Sequence, residues 1–145
     1  MIFLDTGYLL ALFDPADELR ARAMGWSLTL REPCLLTEYI LWECVNAFSH
    51  PGDRRTAHLL VDYLRSEPGY EIVPASPGLF AAGLRLHYER PDKAWSLTDC
   101  ISFHIMRERG IQRALAYDMH FEQAGFVALL RQPPPGAAAA GKKPV

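Results

Sequence analysis

The chain has little that would tie it to a membrane, a secretory route or a cross-linked scaffold. No apolar run approaches the roughly 20 residues that span a bilayer. The opening Met1-Ile2-Phe3-Leu4-Asp5 has no basic segment ahead of its apolar stretch, so it does not read as a signal peptide. Cysteine is scarce: Cys34, Cys44 and Cys100 make an odd count of 3, with no CxxC pair. Neither a disulfide framework nor a zinc knuckle is indicated, and buried reduced thiols in a cytoplasmic protein are expected. Neither sign of charge is in excess: 15 Lys and Arg stand against 17 Asp and Glu, for a formal net charge of -2. That balance does not advertise a nucleic-acid binder, although an acidic site in basic surroundings gives the same total. There is no internal repeat.

What the 145 residues do hold is apolar side chains, at 50% of the chain. That fraction excludes a disordered polymer, and the length suits one domain. A domain of this size buries roughly 68–70% of the surface its unfolded chain exposes, enough for a core without staples. One composition shift occurs. From Gln132 the sequence runs Pro-Pro-Pro-Gly, then alanines, then Gly-Lys-Lys-Pro-Val. Residues 1–131 are therefore read as the folded domain and 132–145 as a disordered Pro/Ala/Gly-rich tail.

Within 1–131, strand-like and helix-like segments alternate. Met1–Asp5 reads as a buried strand and Thr6–Phe13 as a short helix stopped by Asp14-Pro15. Asp17–Leu30 follows as a helix, Cys34–Thr37 as a strand, then Glu38–Ser49 and Arg54–Ser66 as helices. Tyr70–Pro74 is a strand, Pro77–Tyr88 a helix, and Ser96–Arg109 a helix ending at Gly110, an ordinary residue just past a helix end. Arg113–Tyr117 and Phe126–Leu130 are strands around a helical turn at His120–Gln123. This alternation implies an α/β fold, a parallel sheet with helices on its faces. Ligands of such folds bind at the carboxyl ends of the strands.

Acids stand where that rule looks for them. Asp5 closes the first strand, either as a helix cap or as a carboxylate on the sheet's rim. Asp118 follows the strand Ala114-Leu115-Ala116-Tyr117, as a turn former or a second rim acid. Asp99 lies in Ser96-Leu97-Thr98-Asp99, a capping box that does not stop the acid from also facing the rim. Glu43 is inside a helix that is apolar nearly all round and so reads as sandwiched. A carboxylate there needs either an arginine partner or a metal, and Asn46, three residues on, marks a polar notch on the same face. Converging carboxylates repel, which raises the pKa of some of them. A hard divalent cation relieves that repulsion, and such a site can activate water and clamp a phosphodiester.

At these residues the sequence resembles the PIN-domain nucleases, and within them the VapC-like toxins of type II toxin–antitoxin pairs. The resemblance runs over about residues 1–130. It passes through Ile2-Phe3-Leu4-Asp5-Thr6, Leu41-Trp42-Glu43 with Asn46, Ser96-Leu97-Thr98-Asp99-Cys100-Ile101-Ser102-Phe103, and Tyr117-Asp118-Met119-His120-Phe121 before Ala124-Gly125-Phe126. It implies a three-layer Rossmann-like fold and a Mg2+- or Mn2+-dependent endoribonuclease. It also implies metal ligation and catalysis by Asp5, Glu43, Asp99 and Asp118. Thr6, Thr98 and Asn46 are expected to support those carboxylates or water from just outside the ligand set. The family often has Ser or Thr two residues before the last acid, where this chain has Ala116, which bears on how Asp118 is oriented. RNA as substrate, a homodimer and a small antitoxin that covers the acidic pocket are implied partners, with no membrane.

Substrate contacts are sought among basic side chains near the rim: Arg20, Arg22, Arg31, Arg54, Arg55, Arg90, Lys93 and His120. Trp95 and Tyr8 are candidates for stacking on bases, with core packing as the alternative. Asp5-Thr6-Gly7 is also the tripeptide of aspartic proteases, but those are all-β and pair two such acids. A haloacid-dehalogenase-like phosphatase needs a second Asp where this chain has Gly7. A catalytically weak or inactive PIN fold that binds RNA or protein is the non-enzyme alternative.

Overall fold

The structure is a computed structural model that describes residues 1–137. Five parallel strands form one sheet among the described residues: β1 (Ile2–Leu4), β2 (Cys34–Thr37), β3 (Tyr70–Val73), β4 (Arg113–Leu115) and β5 (Val127–Ala128). Their order is β3-β2-β1-β4-β5. β1 is central, with Phe3 opposite Leu35 of β2 on one side and Ala114 of β4 on the other. Ile2, Phe3 and Leu4 are fully buried, as a strand covered on both faces requires.

The helices are α1 (Thr6–Phe13), α2 (Arg20–Thr29), α3 (Glu38–Ala47), α4 (Arg54–Ser66), α5 (Pro77–Glu89), α6 (Leu97–Glu108) and α7 (Met119–Gln123). From β1 the chain steps outward through β2 to β3, then crosses back to β4 and on to β5. Parallel crossovers are right-handed, so the two directions of travel put α1–α4 on one face and α5–α7 on the other. This is the expected α/β three-layer architecture. The order reverses between β1 and β4, which opens a crevice at the carboxyl ends of those two strands.

Two packing features set the shape of that crevice. Phe103 of α6 stands at the centre of an aromatic cluster with Trp95, Phe121 and Phe126, at ring-centroid distances of 5.0, 5.0 and 5.7 Å. Phe121 in turn reaches Phe3 of β1 at 6.3 Å. These contacts bring the start of α6, the short α7 and the central strand together. Trp95 and Tyr8 are each 4% exposed, so both are core residues.

Boundaries differ from expectation where side chains compete with the backbone. α2 begins at Arg20 because Asp17 holds the preceding turn, its carboxylate accepting from the Leu19 amide at 2.8 Å. The last strand is only Val127–Ala128, and Leu129–Arg131 winds into a 3-10 turn. α3 is not sandwiched: Trp42 is 66% exposed. Beyond 131, the chain packs on α2. The Trp26 indole donates to the Gln132 carbonyl at 3.1 Å, and Pro134 lies so close to Gly25 that any side chain there would collide with it. The rest of the tail expected to be disordered, 138–145, lies outside the described residues. No helix among the described residues is long and apolar enough to cross a membrane.

Candidate active site

The crevice holds a cavity of about 920 Å³. Asp5, Glu43, Asp99 and Asp118 all line it, together with Thr6, Asn46, Ser96, Tyr117, His120 and Arg131. The four acids come from both layers of helices and from two strand exits, so only the tertiary fold assembles them. Among the described residues, no group of three or more His, Cys, Asp or Glu side chains stands close enough together to hold a metal ion. The acids face one cavity rather than one point.

Each acid is held in a different way. Asp5 occupies the N-cap position of α1, yet its side chain makes no capping hydrogen bond. Burial first, and then the charge of Asp99, push its carboxyl up to about 7. The Thr6 amide opposes that rise, while Glu43 and Asp118 add to it. The other three acids line the same cavity as Asp5, and their charges add to its rise. Glu43 is partly buried and has no arginine beside it among the described residues. Its Oε1 accepts a hydrogen bond from the Thr6 hydroxyl at 2.6 Å.

Asp99 forms the anticipated capping box. Ser96 Oγ accepts from the Asp99 amide, and Asp99 Oδ2 accepts from the Ser96 amide, both at 3.0 Å. The same Oδ2 lies 3.1 Å from His120 Nδ1. Asp118 caps α7, its Oδ1 accepting from the His120 amide at 3.0 Å, while its Oδ2 lies 3.3 Å from His120 Nδ1. His120 therefore stands between the two acids and belongs to the cluster itself. Ala116 is fully buried and contributes no hydroxyl, so Asp118 takes its orientation from the α7 cap and from His120.

The remaining candidates divide. Thr6 and Asn46 line the cavity, whereas Thr98 does not. Arg20 and Arg22 lie away from it and are engaged by backbone. Arg20 Nη1 donates to the Leu12 carbonyl at 2.8 Å and Arg22 Nη1 to the Leu130 carbonyl at 2.9 Å. Both fasten α2 to its surroundings. Arg90 pairs with Asp92 at 3.0 Å, and Arg31, Arg54, Arg55 and Lys93 also lie outside the cavity lining. Arg131, which no sequence pattern singled out, is the cation that does line it. Its only local mark is its place as the last charge before the proline-rich segment.

Chemically, the cavity offers oxygen donors and one histidine. The cysteines are not available to it as nucleophiles. All three are buried, and burial pushes the Cys44 thiol up to about 12 and the Cys34 thiol to about 11.

The family model described as the PIN domain matches residues 2–127. The 23S rRNA-specific endonuclease VapC20 of Mycobacterium tuberculosis is 25% identical over 127 residues, covering 88% of this chain and 96% of that protein. The crystal structure of the same VapC20, described as a sarcin-ricin-loop-cleaving toxin, superposes with a TM-score of 0.82 at 23% identity, over 89% of this chain and 98% of that one. FitAcB from Neisseria gonorrhoeae superposes with a TM-score of 0.62 at 18% identity, over 88% and 95%. At these identities the two superpositions speak to the fold alone.

Proposed function

The chain belongs to the PIN-domain family, and we propose that it is a Mg2+- or Mn2+-dependent endoribonuclease, the toxin of a toxin–antitoxin pair. The observation that carries this reading is the meeting of four carboxylates, Asp5, Glu43, Asp99 and Asp118, in one cavity at the strand exits, where burial and its neighbours raise the Asp5 carboxyl. Such a cluster costs stability when nothing neutralises it, so a structural role does not account for it. Oxygen donors partly withdrawn from water suit a hard divalent cation by their chemistry, and binding one would draw the acids closer together than they stand. Asp5, Glu43, Asp99 and Asp118 would hold it. When bound, the ion would supply neutralisation of the acids, activation of water and uptake of the charge that develops on a phosphodiester under attack.

The chain's own residues prepare that site. Thr6 fixes Glu43 through Oε1 and so sets where its other oxygen lies. The Ser96 amide and His120 both engage Oδ2 of Asp99, which keeps Oδ1 out of the capping box. The α7 cap holds Asp118. Restraint of this kind lowers the reorganisation needed when substrate arrives. RNA as the substrate is supported by the relative that is a 23S rRNA-specific endonuclease. Products with 5′-phosphate and 3′-hydroxyl ends are expected.

An inactive binding module is not favoured, because all four acids remain and share the cavity. The parallel sheet also argues against an aspartic protease. A small antitoxin covering the acidic pocket is the proposed partner. For the proposed homodimer, Phe80, Leu84 and Tyr88 make an exposed apolar stripe at every fourth position of α5, and Tyr88 is 86% exposed. Incubation of labelled RNA with and without Mn2+ tests the activity against Asp5→Asn. Cleavage that persists in EDTA, or that the variant retains in full, overturns the reading.

A further inference from the structure

We propose that Tyr117 and Arg131 together grip one unpaired nucleotide of the substrate at the mouth of the acidic cavity, the base stacked on the Tyr117 ring and a phosphate on the Arg131 guanidinium. This rests on the RNA-cleaving reading above and adds to it how the chain is held.

An acidic cavity repels a polyanion, so the substrate needs a protein cation beside the acids. Arg131 is the arginine that lines the cavity. It is also built into place. Its Nη1 donates to the Tyr117 carbonyl at 2.9 Å, its guanidinium lies over the Tyr117 ring at 5.1 Å from the centroid, and its Nε is 3.5 Å from Glu122 Oε1. The guanidinium is thus oriented by a neutral carbonyl and an aromatic face, with one loose, partly exposed ion pair. A side chain held this way keeps most of its charge for an incoming anion.

Tyr117 has no core role that explains it. The residue is 43% exposed, against 4% for Trp95 and Tyr8, and it directly precedes Asp118. Every base has a face that can stack on such a ring, but only when it is out of a duplex. Because Arg131 tethers the carbonyl of the residue before Asp118, a nucleotide held on this pair is registered against the acids. Its neighbouring phosphodiester is thereby delivered to them.

The test uses a short unstructured fluorescein-labelled oligoribonucleotide, and the same strand annealed to its complement. Binding is measured in Mg2+ on an Asp99→Asn background that does not cleave. Tyr117→Leu should weaken binding of the single strand about tenfold, whereas Tyr117→Trp should preserve it. Arg131→Gln should reduce the slope of log K against log salt by about 0.7, the mark of one lost phosphate contact on a single strand. The duplex should bind alike in all variants. In the cleaving protein with Mn2+, Tyr117→Leu should lower kcat/KM by about tenfold, and Tyr117→Trp should restore it. Unchanged single-strand affinity in Tyr117→Leu and an unchanged salt slope in Arg131→Gln overturn the proposal while leaving the nuclease reading intact. A parent protein that neither binds nor cleaves RNA in Mn2+ removes that reading, and this proposal with it.

Discussion

The hydroxyl of Thr6 donates to a carboxylate oxygen of Glu43 across 2.6 Å, joining the exit of β1 to the middle of α3, 37 residues away in sequence. It is a charge-assisted bond, the kind worth more than a neutral one. Thr6→Val keeps the shape of the side chain and removes the donor. Loss of such a supporting partner typically costs 10–100-fold in metal affinity or activity. Thr6→Val is therefore expected to weaken Mn2+ binding, read by calorimetry, and to lower RNA cleavage by about tenfold or more. Thr6→Ser should recover most of both. Equal Mn2+ affinity in Thr6→Val and the parent would mean that this bond does not organise the site.

Asp5 makes a signed prediction about pH. Its carboxyl is raised from 3.8 to about 7 in the fold by burial, and next by the charge of Asp99. The folded protein therefore keeps a proton that the unfolded chain has already released. The stability linked to that proton is fully present below about 4 and is lost as pH rises through about 7. In EDTA, the melting temperature of the parent should fall over that window relative to Asp5→Asn, which has no such proton to lose. Mg2+ should restore the parent at pH 8, and Asp99→Asn should shrink that rise. Parallel pH curves for the parent and Asp5→Asn would show that the Asp5 carboxyl is not raised in the fold.

Much of this was legible from local pattern. Buried parallel strands read as short apolar runs, so the acids that end them, Asp5 and Asp118, stand out without any knowledge of the fold. The capping box at Ser96 and Asp99 is a local motif and formed as written. The rest depended on distance in sequence. Arg20 and Arg22 read as candidate substrate contacts, but the latter is satisfied by a carbonyl 108 residues away. His120 read as a candidate substrate contact and not as a member of the acid cluster, because its partner Asp99 is 21 residues upstream, brought near by the Phe103 cluster. Arg131 carries no periodic or motif signal at all, and Tyr117 enters the pattern only as the residue that leads into Asp118. The exposure of Trp42 escaped the reading because an apolar helix looks the same whether its outer face meets protein or water.

The α5–α6 contact depends on an absent side chain. Gly83 lies in the middle of α5, where glycine costs about 1 kcal/mol against alanine. A methyl group there would overlap the Ile101 side chain of α6. Overpacking of this kind costs roughly 1–3 kcal/mol, which outweighs the gain in helix propensity. Gly83→Ala is expected to lower the melting temperature by several degrees, and to cost less in an Ile101→Ala background, where Cγ1, the atom the new methyl would strike, is gone. Thermal melts of the four members of that cycle measure the coupling. A stabilised Gly83→Ala would mean that the two helices can part without penalty.

The cysteines test whether any covalent chemistry belongs to this protein. Thiolate is the reactive form, and burial pushes Cys34 up to about 11 and Cys44 to about 12, while Cys100 is raised for the same first reason. At pH 8 an ordinary thiol is ionised to roughly a quarter, whereas a thiol raised this far is ionised to the order of one part in a thousand or less. Iodoacetamide should therefore label none of the three at an appreciable rate in the folded protein and all three after denaturation, as intact mass reports. Alkylation should leave RNA cleavage unchanged as long as the fold is kept. Rapid labelling of Cys44 with loss of cleavage would place a nucleophile beside Glu43 and require a different chemistry at the cavity.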